Sequence, residues 1–472
     1  MKWFVALLVL AVHPATVAYS QTDLEPSAST NSNSKEPSQV RTPIETFLQL
    51  IGKVPQDRLK ALKAIERNWN DGDTGLLLET IRFTRSRQTR AFLFDCLARN
   101  TGQSFERSLD PWYRWIWNRN VTLHPGYATF KRELYQRIDP RFAEYFDPEY
   151  EQQIRWDEIR WGGVRRDGIP PLDHPKVLAA SDADYLADSD VVFGVHFDGE
   201  SRAYPKRILA WHEMVKDELG GLSINGVYCT LCGSMIVYET ETNGRHFELG
   251  TSGFLYRSNK LMYDHETQSL WSTLKGRPVV GPLVGQGIRL RPRHVVTTTW
   301  GEWKTRHPKT TVLSLETGHK RDYGEGVAYQ DYFATDKLMF TVPQIDRRLK
   351  NKDEVLVVRR GEDSLAIAAH FLNSQPVYQD SIGGVSFVVI TDRSGANRVY
   401  ESMEISFADT SAENSIQSTD GRTWQIMEDA LVSRDNETSG NSKTVLNRLS
   451  AHRAFWFGWY ADHPDVRLVT GP

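Results

Sequence analysis

Sliding the chain on itself by 163 positions exposes an internal repeat, and a unit used twice restricts the fold of these 472 residues more than any other feature. Asp190, Val192, Val195, Ser201, Ala203, Leu209, Asp217, Gly220, Gly221 and Ser223 recur as Asp353, Val355, Val358, Ser364, Ala366, Leu372, Asp380, Gly383, Gly384 and Ser386, ten identities over 35 positions without a gap. A one-residue slip then brings Val237-Tyr238-Glu239 onto Val399-Tyr400-Glu401. Within the unit, β-branched runs at 191–195, 222–227 and 235–238 surround a helical stretch over 205–215, so the order is strand, helix, strand, strand. Two similar halves packed as a pseudo-symmetric pair are expected.

Upstream the periodicity changes. Leu59, Leu62, Ile65 and Trp69 recur at helical spacing, as do Leu77, Leu78, Ile81 and Phe83 after the breaker Asn70-Asp71-Gly72-Asp73, and then Phe92, Leu93, Cys96 and Leu97. The fold class expected is α+β, a β-rich domain with an internal duplication preceded by a small all-α domain. The helical domain spans 43–150, the first repeat 151–345, and the second, degenerate repeat with the C-terminal segment 346–472. Cys96 on its apolar stripe reads as a small buried hydrophobe, and the cluster Trp112, Tyr113, Trp115 and Trp117 as the cover of a domain junction.

The first twenty residues have the anatomy of a secretory signal: Lys2, an apolar run over 3–12, and small residues in Ala18-Tyr19-Ser20. Residues 21–42, dominated by Ser, Asn, Thr and Pro, read as a disordered linker. An exported protein, periplasmic or extracellular, is expected, with no transmembrane segment in the mature chain, since the run of about ten apolar residues is half of what a bilayer needs. Asn120-Val121-Thr122 and Asn436-Glu437-Thr438 match the glycosylation acceptor pattern, a triplet frequent by chance. With 57 Lys plus Arg against 60 Asp plus Glu, the chain lacks the basic excess of a nucleic-acid binder. Three cysteines are too few for disulfides to hold the fold.

Chemistry concentrates in Tyr228-Cys229-Thr230-Leu231-Cys232-Gly233, two thiols three positions apart in a turn between apolar strands. Such a knuckle supplies half of a tetrahedral metal site, and glycine after the second cysteine permits the positive φ of the turn. His212, at the end of the preceding helix, is the first candidate for a third ligand. Its counterpart in the second copy is Gln375, and Cys229 and Cys232 face Thr391 and Ser394 there, so all three groups are lost together. A Cys2His centre at Cys229, Cys232 and His212 with one open position would suit Zn, and soft sulfur would equally suit Cu. Two other readings stand beside it. The pair can be a thiol–disulfide catalyst with Cys229 as nucleophile and Cys232 as resolver, although a strand rather than a helix follows the motif; or it can be an inert disulfide. A non-enzymatic envelope module binding a small molecule or an envelope protein is a further possibility. No phosphate loop precedes a helix, which speaks against a nucleotide cofactor, and no Gly-x-Ser-x-Gly elbow is present for acyl transfer. Asp264 with Ser269 and Trp271 reads as turn chemistry and His452-Arg453 as a packed surface edge, while His294, His307 and His319 follow no ligand spacing.

The motifs Asp167-Gly168-Ile169-Pro170, Arg202-Ala203-Tyr204-Pro205, Trp211-His212-Glu213, Tyr228 to Gly233, Leu261-Met262-Tyr263-Asp264, Arg321-Asp322-Tyr323-Gly324 and the closing run Ala451 to Ala461 together resemble an exported bacterial family, the domain of unknown function 3179. The resemblance covers about 300 residues and brings no activity with it. Thr230 stands where that family usually has proline, which leaves the turn less rigid, and His265 where arginine is common. The helical region before residue 150 lies outside the resemblance.

Overall fold

The computed structural model describes residues 41–412, 414–434 and 443–471; the expected signal, nearly all of the linker and the Asn436 triplet lie outside the described residues. The chain is α+β, with helices between Ile44 and Tyr135 and a series of sheets thereafter. Local signals set the helices. Pro55 opens Pro55–Arg67 with its φ already in the helical range and Arg67 closes it against the negative end of the dipole. Ser86 accepts from the Thr89 N–H at 3.2 Å to cap Arg87–Thr101, and Gly102 ends that helix in the left-handed region at φ 68°.

The helical region does not enclose a core of its own. Phe47, Leu77, Ile81, Trp112 and Phe130 belong to one apolar cluster with Phe254, Leu261, Leu270 and Val280. Those last residues sit on a five-stranded sheet in the order Ile159–Trp161, Leu249–Tyr256, Asn259–Asp264, Leu270–Ser272, Arg277–Val280. The tryptophan cluster covers this junction: the Trp117 indole donates to the Asp157 carbonyl at 3.2 Å and the Arg160 guanidinium lies 4.3 Å from the Tyr113 ring centre. Cys96 is fully buried, and burial pushes its thiol up to about 12.

The duplication extends further in space than in sequence. In the first copy the hairpin Val191–Phe197 and Glu200–Pro205 leads into the helix Lys206–His212 and the strands Met214–Leu219, Leu222–Cys229 and Ser234–Glu239. In the second, Glu354–Arg360 and Asp363–Ala368 lead into Ala369–Ser374, Val377–Ile382, Val385–Thr391 and Asn397–Glu401. Each copy then carries an inserted sheet and returns. Val296–Thr299 pairs antiparallel with the first hairpin, Trp300–Arg306 follows as a helix, and Thr311–Leu313 adds in parallel. Ala451–Phe455, Trp456–Asp462 and Arg467–Val469 repeat those three steps on the second hairpin. Even single hydrogen bonds recur: Trp300 N–H to the Asp190 carbonyl is matched by Trp456 to Asp353, and Tyr228 to Glu213 by Thr391 to Pro376.

This ladder corrects one sequence alignment. Ile224 faces Glu239 and Phe387 faces Glu401, so the one-residue slip is real and falls inside the turn. Because Tyr228 corresponds to Thr391, Cys229 stands opposite Asp392, not Thr391. In the second copy the Asp392 carboxylate accepts from the N–H groups of Ser394 and Ala396 and from the Ser394 hydroxyl, holding with hydrogen bonds a turn that in the first copy carries thiols.

The copies meet reciprocally at their turns. The Phe455 N–H of the second copy donates to the Cys232 carbonyl at 2.7 Å, and Thr298 Oγ1 of the first lies 3.0 Å from Ser394 Oγ of the second. A cleft of about 160 Å³ straddles this junction, lined by Lys206, Tyr228 and Gly233 from one side and Glu354, Gly395 and Arg453 from the other. His452 is buried, and Arg453 lies partly buried in the cleft with its guanidinium bonded to Glu354 at 2.6 Å, so neither is the surface edge expected from sequence. No helix of the described residues is long and apolar enough to cross a membrane.

Candidate dithiol site

Cys229 is the last residue of its strand and Ser234 the first of the next, paired across the ladder. The Cys232 N–H donates to the Cys229 carbonyl at 3.1 Å, which makes the four residues a hydrogen-bonded β-turn. Both sulfurs therefore fall on one side, 2.7 Å apart. Gly233 is required twice over: its φ is +61°, and a Cβ there would lie 2.8 Å from the Phe455 ring. Gly458 in the closing aromatic run is equally constrained, since a Cβ would stand 3.0 Å from that of Cys232. The C-terminal segment is thus laid directly on the second cysteine, and Asn259 Nδ2 fastens it by donating to the Gly458 carbonyl at 2.9 Å. Gly233→Ala is expected to cost about 1–3 kcal/mol through the φ penalty and overpacking, read as a lowered urea midpoint; an unchanged midpoint would show the turn free to relax.

Neighbouring charges come from residues that sequence spacing did not single out. Glu213, held in the left-handed region at φ 56° as the cap of Lys206–His212, turns its carboxylate to Lys260 Nζ at 3.3 Å and to the Tyr329 hydroxyl at 3.3 Å. Lys260 Nζ also donates to the Glu213 carbonyl at 3.3 Å. Tyr332 donates to the Leu231 carbonyl at 2.8 Å, clamping the centre of the turn. Tyr329 and Tyr332 belong to the largely irregular stretch between Leu313 and Glu354, whose short helix Gln330–Phe333 lies over the thiols. Loops of this length inside a compact unit are characteristically functional covers.

The two thiols are not equivalent. Burial pushes both up, being 3 % and 1 % exposed. At Cys229 the hydrogen bond from Cys232 and the backbone N–H groups of Lys260 and Cys232 outweigh burial and the charge of Glu213, so its thiol lies below the ordinary range. Cys232 carries the opposite balance, because burial and a neighbouring Cys229 thiolate both disfavour a second negative charge, and it lies well above. Burial lowers Lys260, while Glu213 and Cys229 both favour its ammonium form.

His212 is not brought to the sulfurs. Its Nδ1 is 2.9 Å from the Pro170 carbonyl and its Nε2 is 2.6 Å from the Tyr323 hydroxyl, so both ring nitrogens are engaged by other groups. Burial, with the charges of His319 and Arg321, takes its pKa down to about 4. The helix that ends at His212 delivers Glu213, the next residue, toward the thiols and sends the imidazole to tie down two loops. Among the described residues no group of three or more His, Cys, Asp or Glu side chains is placed to share a metal ion. Asp264 accepts from the Thr267 N–H and hydroxyl and from the Trp271 indole, the turn role its spacing implied.

A duplicated α+β scaffold with an asymmetric, covered dithiol in one copy is the class that fold and site define. Residues 166–466 match the family model described as "Protein of unknown function (DUF3179)", and the chain belongs to that family. No curated protein and no solved structure matches it.

Proposed function

We propose that this protein is a thiol–disulfide oxidoreductase of the cell exterior, with Cys229 as the attacking thiolate and Cys232 as the resolving thiol. The observation that carries this reading is geometric: two buried sulfurs only 2.7 Å apart across a hydrogen-bonded turn. A β-turn keeps its end Cα atoms within about 7 Å, inside the span a disulfide tolerates, so the pair can close and open without backbone rearrangement. Cys229 as thiolate attacks one sulfur of a substrate disulfide, expelling the other as a thiolate that takes up a proton. Cys232 then gives up its proton and attacks the Cys229 sulfur, releasing the second substrate thiol and leaving Cys229 and Cys232 oxidised by two electrons. Glu213 and Lys260 lie beside the pair and are suited to hold the proton exchanged in the second step. The signal-like N-terminus supports placement outside the cytoplasm, where disulfide substrates persist.

The metal reading lacks the ligand it relied on, because His212 is committed to Pro170 and Tyr323. One experiment separates the possibilities: untagged protein is equilibrated with dithiol buffers of graded potential, its thiols counted by mass after alkylation, and its zinc and copper measured in parallel. Metal-free protein whose Cys229–Cys232 pair titrates reversibly is expected, with Cys229→Ser abolishing dithiol oxidation and Cys232→Ser accumulating a mixed disulfide at Cys229. One bound metal ion lost in Cys229→Ser, or a pair that opens only below about −300 mV as structural disulfides do, would overturn the assignment.

A further inference from the structure

A second cluster of reactive side chains lies away from the thiols. His196 and Ser201 face each other across the first hairpin, and His307 follows the helix Trp300–Arg306. Ser201 Oγ is 2.8 Å from His196 Nδ1 and 3.0 Å from His307 Nδ1, and the other nitrogen of His307, Nε2, is 3.4 Å from Glu428 Oε1 in the insert of the second copy. All three of His196, Ser201 and His307 line an open cleft of about 540 Å³ together with Arg202, Arg306 and Lys309.

Hydrogen-bond accounting orders the protons. Glu428 is buried and receives Arg398 Nε at 2.9 Å, Arg306 Nε at 3.0 Å and Arg448 Nη1 at 3.1 Å. Burial would favour its neutral form, but Arg398, the His307 hydrogen bond and Arg448 outweigh burial and keep the carboxyl ionised. An ionised Glu428 can only accept, so His307 carries its proton on Nε2 and presents a bare Nδ1 to Ser201. The serine can then donate to His307, while His196, whose Nε2 lies 4.0 Å from Asp429 Oδ2, reaches the same hydroxyl through Nδ1. A hydroxyl bonded to an imidazole that a fixed carboxylate orients is the arrangement that activates serine nucleophiles on unrelated folds.

We propose that Ser201, His307 and Glu428 form an acyl-ester hydrolase site independent of the dithiol. Ser201 Oγ attacks the ester carbonyl as its proton passes to His307 Nδ1. The ester C–O bond breaks, and the leaving alcohol takes that proton. Water repeats the sequence on the acyl-serine, which releases the acid and restores the hydroxyl. The site was invisible to motif reading because its members come from a strand, a helix end and an insert in the other copy, with no nucleophile elbow.

The test is a fluorophosphonate probe on the full-length protein, with the adduct located by peptide mass spectrometry. A single adduct at Ser201 is expected on native protein and none on protein unfolded in urea. His307→Gln should slow labelling at least about a hundredfold, the usual worth of a general base. No adduct on native protein, an adduct elsewhere, or equal rates with and without His307 would overturn the proposal. Should His307→Gln not fold, the contrast between native and unfolded wild type still decides.

Discussion

Glu79→Leu is expected to destabilise the protein by about 3–5 kcal/mol, the cost of leaving a buried charge without its partner. Lys131 is fully buried and its ammonium is 2.6 Å from Glu79 Oε1 and 2.7 Å from the Ile159 carbonyl. The Tyr127 and Tyr135 hydroxyls each donate to the same carboxylate at 2.9 Å. Burial pulls the lysine pKa down and Glu79 opposes it, so the carboxylate is what keeps the ammonium in place. Removing it strands one cation and two hydroxyls at the seam where the helices meet the strand Ile159–Trp161. Against a total stability of about 5–15 kcal/mol, the urea midpoint should fall by about a fifth or more. The fourfold variant Glu79→Leu, Lys131→Met, Tyr127→Phe and Tyr135→Phe should recover most of the loss, since the cation and both hydroxyls leave together with the carboxylate and only the Ile159 carbonyl loses a partner. A single variant within 1 kcal/mol of wild type would mean that water reaches Lys131.

That seam marks where sequence reasoning stops. The repeat was legible because strands and turns recur at fixed spacing, and the helices because their apolar faces recur at three and four. The shared core was not, since Phe254 and Leu270 meet Ile81 and Trp112 only in space. The thiol turn was legible as Cys-x-x-Cys-Gly with its glycine in the left-handed region. Its third partner was not: spacing selected His212, while the helix ends in a left-handed residue that swings Glu213, one position later, to Lys260 and Tyr329. A reversal of direction at a helix cap is set by packing against strands far along the chain, here the Tyr228 N–H on the Glu213 carbonyl at 2.9 Å. Lys260 and Tyr332 likewise reach the site from elements that carry no motif spacing relative to the cysteines.

Acid should destabilise this protein from pH 6.5 downward. Four imidazoles are pushed furthest toward the neutral form, mainly by burial: His212 and His463 with pKa values of about 4, and His294 and His452 with values of about 3. All four start from 6.5 in the unfolded chain. Below pH 6.5 the unfolded state therefore binds protons that the folded state refuses, and stability falls as pH falls toward 4. Each group contributes a slope of up to about 1.4 kcal/mol per pH unit. Asp73 works in the opposite sense, because burial raises it to about 6 and the folded state gains a proton there that the unfolded state does not. Among these five groups three net protons are taken up on unfolding, so their share of the loss between pH 7 and pH 5 should be about 6 kcal/mol, comparable with the whole stability of an ordinary domain. Urea unfolding at a series of pH values measures this directly as the slope of free energy against pH. His452→Leu should flatten the slope by about one proton, since that ring is buried and its Nε2 has no partner among the described residues. A free energy that stays level from pH 7 to pH 5 would mean that these imidazoles reach solvent in the folded chain, and with them the loops that His212 ties over the thiols.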